Sequence, residues 1–230
     1  MLLLIWYINC CLRVQIGTWR YRIFAHIIWC GNKKWDEVFN GDQPWDKEIS
    51  EKDISEKAVF LDSPDDIVRA SVPYMLLPCI ICFAAVLIKK ELSDVFIFNV
   101  WFMPLSFLIG FITAMPLHEL FHAICYPKGE SVYIGVSMKQ LRTFAASSAA
   151  MSRERYILMS LAPSAFGVIP LVIFLTCPIT MKWLITICIV PMFMGLISPA
   201  PDYMDVILLL KKVPKCAIIQ PVENDLVWYE

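Results

Sequence analysis

The chain has 230 residues, 58% of them hydrophobic and 18% charged, with a formal net charge of −1. Soluble domains are roughly 45–50% apolar and about 25% charged, so this composition belongs in a bilayer. The near-neutral balance removes the electrostatic case for nucleic acid as a partner, and an odd count of nine cysteines without a small-domain spacing argues against a disulfide framework.

Residues 1–31 are apolar and aromatic, interrupted by Arg13, Arg20 and Arg22. They carry no basic leader ahead of an apolar core, so they do not read as a cleaved signal. An interfacial helix, a short membrane segment and an upstream extension all fit this stretch. Residues 32–70 form a polar, mainly acidic arm, with Asp36, Glu37, Asp46, Glu48, Glu51, Asp53, Glu56, Asp65 and Asp66. Within it, Val59, Phe60 and Leu61 suggest a short strand or a surface helix.

Residues 71–220 read as the membrane-embedded domain, followed by a tail at 221–230. Four apolar segments are expected, at about Val72–Ile88, Val95–Tyr126, Arg155–Thr176 and Met181–Ile197. Runs of about 18 or more apolar residues are long enough to cross roughly 30 Å of hydrocarbon as a helix. Pro73, Pro78, Pro104, Pro116, Pro163, Pro170 and Pro191 lie in or beside them, which neighbouring helices in a bundle tolerate. Cys79 and Cys82 form a CxxC inside the first segment, where they read as small packing residues. The expected fold is an all-α integral-membrane bundle of about four helices, with a small hairpin at Ser131–Val136 in the polar 127–154 loop. Lys and Arg concentrate in the arm, that loop and the stretch after Pro201. The positive-inside rule then places both termini in the cytoplasm of a multi-pass cell-membrane protein.

The chain has three histidines, and two fall in His118-Glu119-Leu120-Phe121-His122. On a helix, residues four apart share a face, so His118 and His122 can reach one metal ion. Zinc suits such nitrogen ligands and accepts three protein ligands plus a water, whose proton Glu119 is placed to take as general base. The same pentapeptide also occurs on surface helices that bind nothing. Here, however, it continues an apolar span, where His and Glu are costly and usually serve a site or an ion path. For a third ligand, Asp202 and Asp205 are the only carboxylates between Glu154 and Glu223. Asp202 can equally cap a helix over 203–212. Pro199 and Pro201 disfavour a continuous helix, which puts Asp202 at a break close to the span and Asp205 a turn further on, towards Lys211 and Lys212.

HELFHA at 118–123, YPKGESVYIG at 126–135, MSRERYILMSLAP at 151–163 and SPAPDYMDVILLLKKVPK at 198–215 together resemble the putative zincin peptidases. These are small bacterial integral-membrane proteins similar in plan to site-2 proteases. The resemblance covers about residues 58–220. It implies a helical bundle holding Zn2+ with His118, His122 and a later aspartate, Asp202 being the nearest match, and Glu119 as the base. It also implies intramembrane proteolysis of a membrane-anchored peptide or protein. Two rivals stand beside that reading. One is a non-catalytic zinc-binding protein, either a pseudoprotease or a closed structural site. The other is a small transporter, which is the weakest because the other three spans lack ionisable residues away from their ends.

Overall fold

The computed structural model describes residues 25–32, 58–64, 66–93, 97–137, 142–222 and 225–230. Most of the arm and of the 1–31 stretch lies outside these residues. The described elements in chain order are β1 (His26–Asn32), β2 (Val59–Phe60), α1 (Ile67–Ser71), α2 (Leu76–Glu91), α3 (Met103–Ile112), α4 (His118–Cys125), β3 (Ser131–Ser137), β4 (Arg142–Ala146), β5 (Met151–Ser152), α5 (Arg153–Leu161), α6 (Ala165–Thr176), α7 (Lys182–Ile197), α8 (Ala200–Lys212), β6 (Ile218–Val222) and β7 (Asp225–Tyr229). Short 3-10 or π turns join α1 to α2, α3 to α4, and α5 to α6.

These helices merge into four runs long and apolar enough to cross a membrane: Ile67–Glu91, Val100–Cys125, Arg153–Thr176 and Lys182–Lys212. Their outward side chains are large and apolar. Leu77, Phe83, Phe107 and Ile169, for example, are all exposed, as expected of surfaces that meet hydrocarbon rather than water. Three of the four runs begin at a polar side chain that caps them, the run from Lys182 being the exception. Asp66 accepts from Arg69 N, Asn99 from Trp101 N, and Ser152 from Arg155 N.

The prolines are absorbed as the bundle requires. Pro191 has no N–H to give to the carbonyl of Ile187, and the Ser106 hydroxyl from α3 donates to that carbonyl at 3.0 Å and accepts from Val190 N at 3.1 Å. Helices α6 and α7 touch through two glycines. A Cβ on Gly195 would come within 2.5 Å of Gly167 N, and one on Gly167 within 2.4 Å of Leu196 N. Small residues let the backbones approach this closely, and close approach is what holds helices together in lipid. At the far end of the bundle, the buried Lys89 ammonium donates to the carbonyls of Leu175 and Cys177, closing the C-terminus of α6.

The all-α expectation requires correction: the protein is mostly helical but carries two sheets. The expected 131–136 hairpin is present, with β3 and β4 antiparallel from Tyr133↔Ala146 to Ser137↔Arg142, and β1 lies parallel to β3 on its other side. Gly135 sits under the ring of Phe144, where a Cβ would come within 2.3 Å. The second sheet has the order β2-β7-β6-β5, all antiparallel. It gathers the segment before the first run, the start of the third and the chain after the fourth. The physical reason for the missed sheets is that strands of two to seven residues carry too little alternation to outweigh the long apolar runs around them. Helix α7 ends at Ile197, as expected of the fourth segment, but the apolar run continues beyond it. After Ser198 and Pro199 it resumes as α8 and continues to Lys212.

Two apolar cores result. One lies among the helices and contains Cys82, Ala85, Phe174, Ile185, Met192 and Leu196. The other joins the sheets to the helix ends and contains Leu61, Ala123, Val132, Met159, Leu209 and Ile219.

Candidate metal centre

The His118 turn is prepared by an irregularity. Residues Thr113–Leu117 form a π turn around Pro116, and α4 starts at His118. Proline cannot continue the ordinary ladder, and the wider turn absorbs it; such bulges recur at functional sites. The Thr113 hydroxyl donates within its own helix, 2.9 Å from Ile109 O and 3.0 Å from Gly110 O. From the other side, Ser198 and Pro199 interrupt the fourth run and Asp202 falls in the first turn of α8. The Tyr203 hydroxyl donates back across the interruption to Leu196 O at 3.1 Å.

These two turns bring His118, His122 and Asp202 together. The two Nε2 atoms lie 3.0 Å apart, His118 Nε2 is 3.3 Å from Asp202 Oδ2, and His122 Nε2 is 3.5 Å from Asp202 Oδ1. The three side chains are 11%, 12% and 19% exposed. His122 Nδ1 lies 3.2 Å from the carbonyl of Met159. A carbonyl only accepts, so Nδ1 carries the proton and Nε2 of the neutral ring presents its lone pair to the other two groups. That arrangement is how metal-binding imidazoles are held.

The set fits zinc. Ligands about 2.0–2.1 Å from a tetrahedral ion sit about 3.3 Å from one another; the two imidazole nitrogens are 3.0 Å apart, and each has a different Asp202 oxygen at 3.3 or 3.5 Å. Two imidazole nitrogens and a carboxylate also form a donor set zinc accepts. Among the described residues this is the one group of three or more such side chains able to share an ion. Asp205 is not in it. Glu119 is not in it either; it follows His118 directly on α4. The sequence offered Asp202 as a ligand or a helix cap. Its side chain faces the histidines, and α8 has no side-chain cap.

Sequence reasoning missed Thr143. Its hydroxyl lies 3.2 Å from Glu119 Oε1 and 3.2 Å from Met115 O, so β4 fixes the glutamate from across the site. Nothing in the local sequence signals this contact, because it joins residues 24 apart in the chain. Tyr126, buried just beyond α4, was also missed. Burial, reinforced by the charge of Glu119, holds its phenol above its ordinary range, so it stays a neutral O–H.

Four helices long and apolar enough to cross a membrane, an HExxH turn and a facing aspartate thus come together in one chain. Residues 111–218, just under half of the chain, match the family model described as "putative zincin peptidase", which is the family expected from the motifs. The match starts at Phe111 and includes every residue of the cluster. No curated protein and no solved structure gives a match.

Proposed function

We propose that the chain is a zinc-dependent membrane metallopeptidase that hydrolyses peptide bonds near the cytoplasmic membrane face. The observation that carries the reading is the convergence of His118, His122 and Asp202 on one point, with Glu119 beside them and outside the ligand set. Three ligands leave a fourth position open, the pattern of catalytic zinc sites; closed structural sites use four. Zinc held there supplies Lewis-acid chemistry, polarising a peptide carbonyl and acidifying water.

The rest falls to the protein's own groups. Glu119 Oε1 is held at the Thr143 hydroxyl, which leaves Oε2 to take a proton from the attacking water and pass it to the leaving amine. The His122 ring is fixed in its tautomer by Met159 O. Strand β4 lies at the edge of its sheet beside Glu119, and an edge strand is a template for an extended peptide. Such a peptide is the class of substrate expected. The Lys/Arg distribution supports a site served from the cytoplasm, with both termini on that side.

Metal analysis of the purified full-length protein should give about one zinc per chain, and the loaded protein should cleave membrane-anchored peptides. A chain without metal after zinc loading would end the proposal. Impermeant labelling in intact cells of a cysteine engineered into the 127–154 loop would overturn the topology.

A further inference from the structure

We infer that Arg153 and Arg155 are positioning residues, and that the first turn of α5 is a two-sided brace setting the distance between the histidine helix and the aspartate helix. This rests on the metal centre proposed above and adds residues that touch neither the ion nor Glu119. The site imposes a geometric requirement. His118 and His122 ride on α4 and Asp202 on α8, and no hydrogen bond or ion pair other than the imidazole–carboxylate contacts links those two helices among the described residues. A site of that kind must be held by something else, because three ligands must stay within a few tenths of an ångström of place.

Helix α5 reaches both. Arg155 Nε donates to Cys125 O and Arg155 Nη2 to Tyr126 O, each at 2.8 Å, so its guanidinium closes the C-terminal end of α4. Arg153, which is buried, donates from Nε and Nη2 to Leu209 O and from Nη2 to Leu210 O, all at 3.4 Å, in the last turn of α8. Residues two apart on a helix point to different sides, so one turn of α5 holds two neighbours in opposite directions. Residues four apart share a side. Met159 follows Arg155 by four, and its carbonyl takes the Nδ1 proton of His122. One face of α5 therefore fixes both the end of α4 and the ring of its second histidine, while the other fixes α8. Leu210 O and Cys125 O belong to the last carbonyls of their helices, Leu209 O being shared with Val213 N, and a guanidinium there also meets the negative end of the helix dipole.

The test uses the full-length protein in detergent, comparing wild type with Arg153→Gln, Arg155→Gln and the conservative Arg155→Lys. Zinc affinity is read by chelator competition, and the site geometry by the visible absorption of the cobalt(II)-substituted protein. Both Gln variants should bind zinc about 10–100-fold more weakly, the usual cost of losing a group that orients metal ligands, with Arg155→Lys in between. Amide hydrogen exchange of the metal-free protein is the second arm. Arg155→Gln should speed exchange in the last turn of α4 and spare α8, and Arg153→Gln should do the reverse. Unchanged affinity and cobalt spectrum in both Gln variants would overturn the brace, as would equal loosening of both helices by either one. A wild type that takes up no zinc would instead sink the metal-centre reading, and the exchange arm would still decide whether the brace exists.

Discussion

The two turns that carry His118, His122 and Asp202 solve one problem in different ways. Each must present polar groups from a long apolar helix, and each does so just after a proline-marked irregularity. Before His118 the chain stays helical, and the π turn around Pro116 absorbs the missing donor without ending the run. Before Asp202 the helix stops at Ile197 and restarts at Ala200, so the aspartate belongs to a new N-terminal turn. The difference sets how tightly each side depends on its surroundings. The histidines share one continuous element and hold their mutual spacing locally. The position of Asp202 depends on how α7 arrives at the interruption, and hence on packing elsewhere.

The sharpest way to break this comparison is to remove ligands from either side. His118→Ala, His122→Ala and Asp202→Asn should each lose zinc by more than the roughly 10–100-fold of an outer-shell change, while Asp205→Asn should keep it; metal analysis after dialysis reads the outcome. Retention by Asp202→Asn with loss by Asp205→Asn would reverse the assignment. Next in size is Glu119→Gln, which should keep zinc and lower cleavage by about 10²–10⁴-fold, the range for losing a general base. Lost zinc would make Glu119 a ligand instead. Gly195→Leu tests the dependence of the aspartate side on packing. Its side chain would meet Gly167 backbone, costing about 1–3 kcal/mol of stability, and zinc affinity should fall with the thermal midpoint. The smallest effect expected is from Thr143→Val. Losing one hydrogen bond to Glu119 is worth about 1 kcal/mol, so cleavage should fall roughly fivefold with zinc unchanged.

The sequence made the chemistry of the histidine side legible because HExxH depends only on helical periodicity. The four apolar runs were legible for a similar reason, since each is long enough to dominate its own window. Spacing left two aspartates three apart, the proline break and the family resemblance favoured Asp202, and it is Asp202 that lies against the histidines. Pro199 and Pro201 marked the interruption correctly but put the restart at 203 instead of Ala200, because proline is acceptable in a first helical turn and Pro201 sits in that place. The local hairpin was legible, but the second sheet was not, because its partners are remote: β2 pairs Val59 with Trp228, and β5 pairs Met151 with Ile219. Contacts such as Thr143 with Glu119, or Arg153 with Leu209, are equally non-local. No local pattern announces them.

The hydroxyl of Tyr203 carries a consequence for how fast the centre can exchange its ion. By donating to Leu196 O it staples the restarted helix to the one before it, so the Ser198–Pro199 interruption is not a hinge. Swinging Asp202 away on α8 alone would break that bond, at a cost of about 1 kcal/mol. An ion bound here should therefore leave slowly, and Tyr203→Phe, which cuts the staple and leaves the ring, should speed its departure more than it changes the affinity.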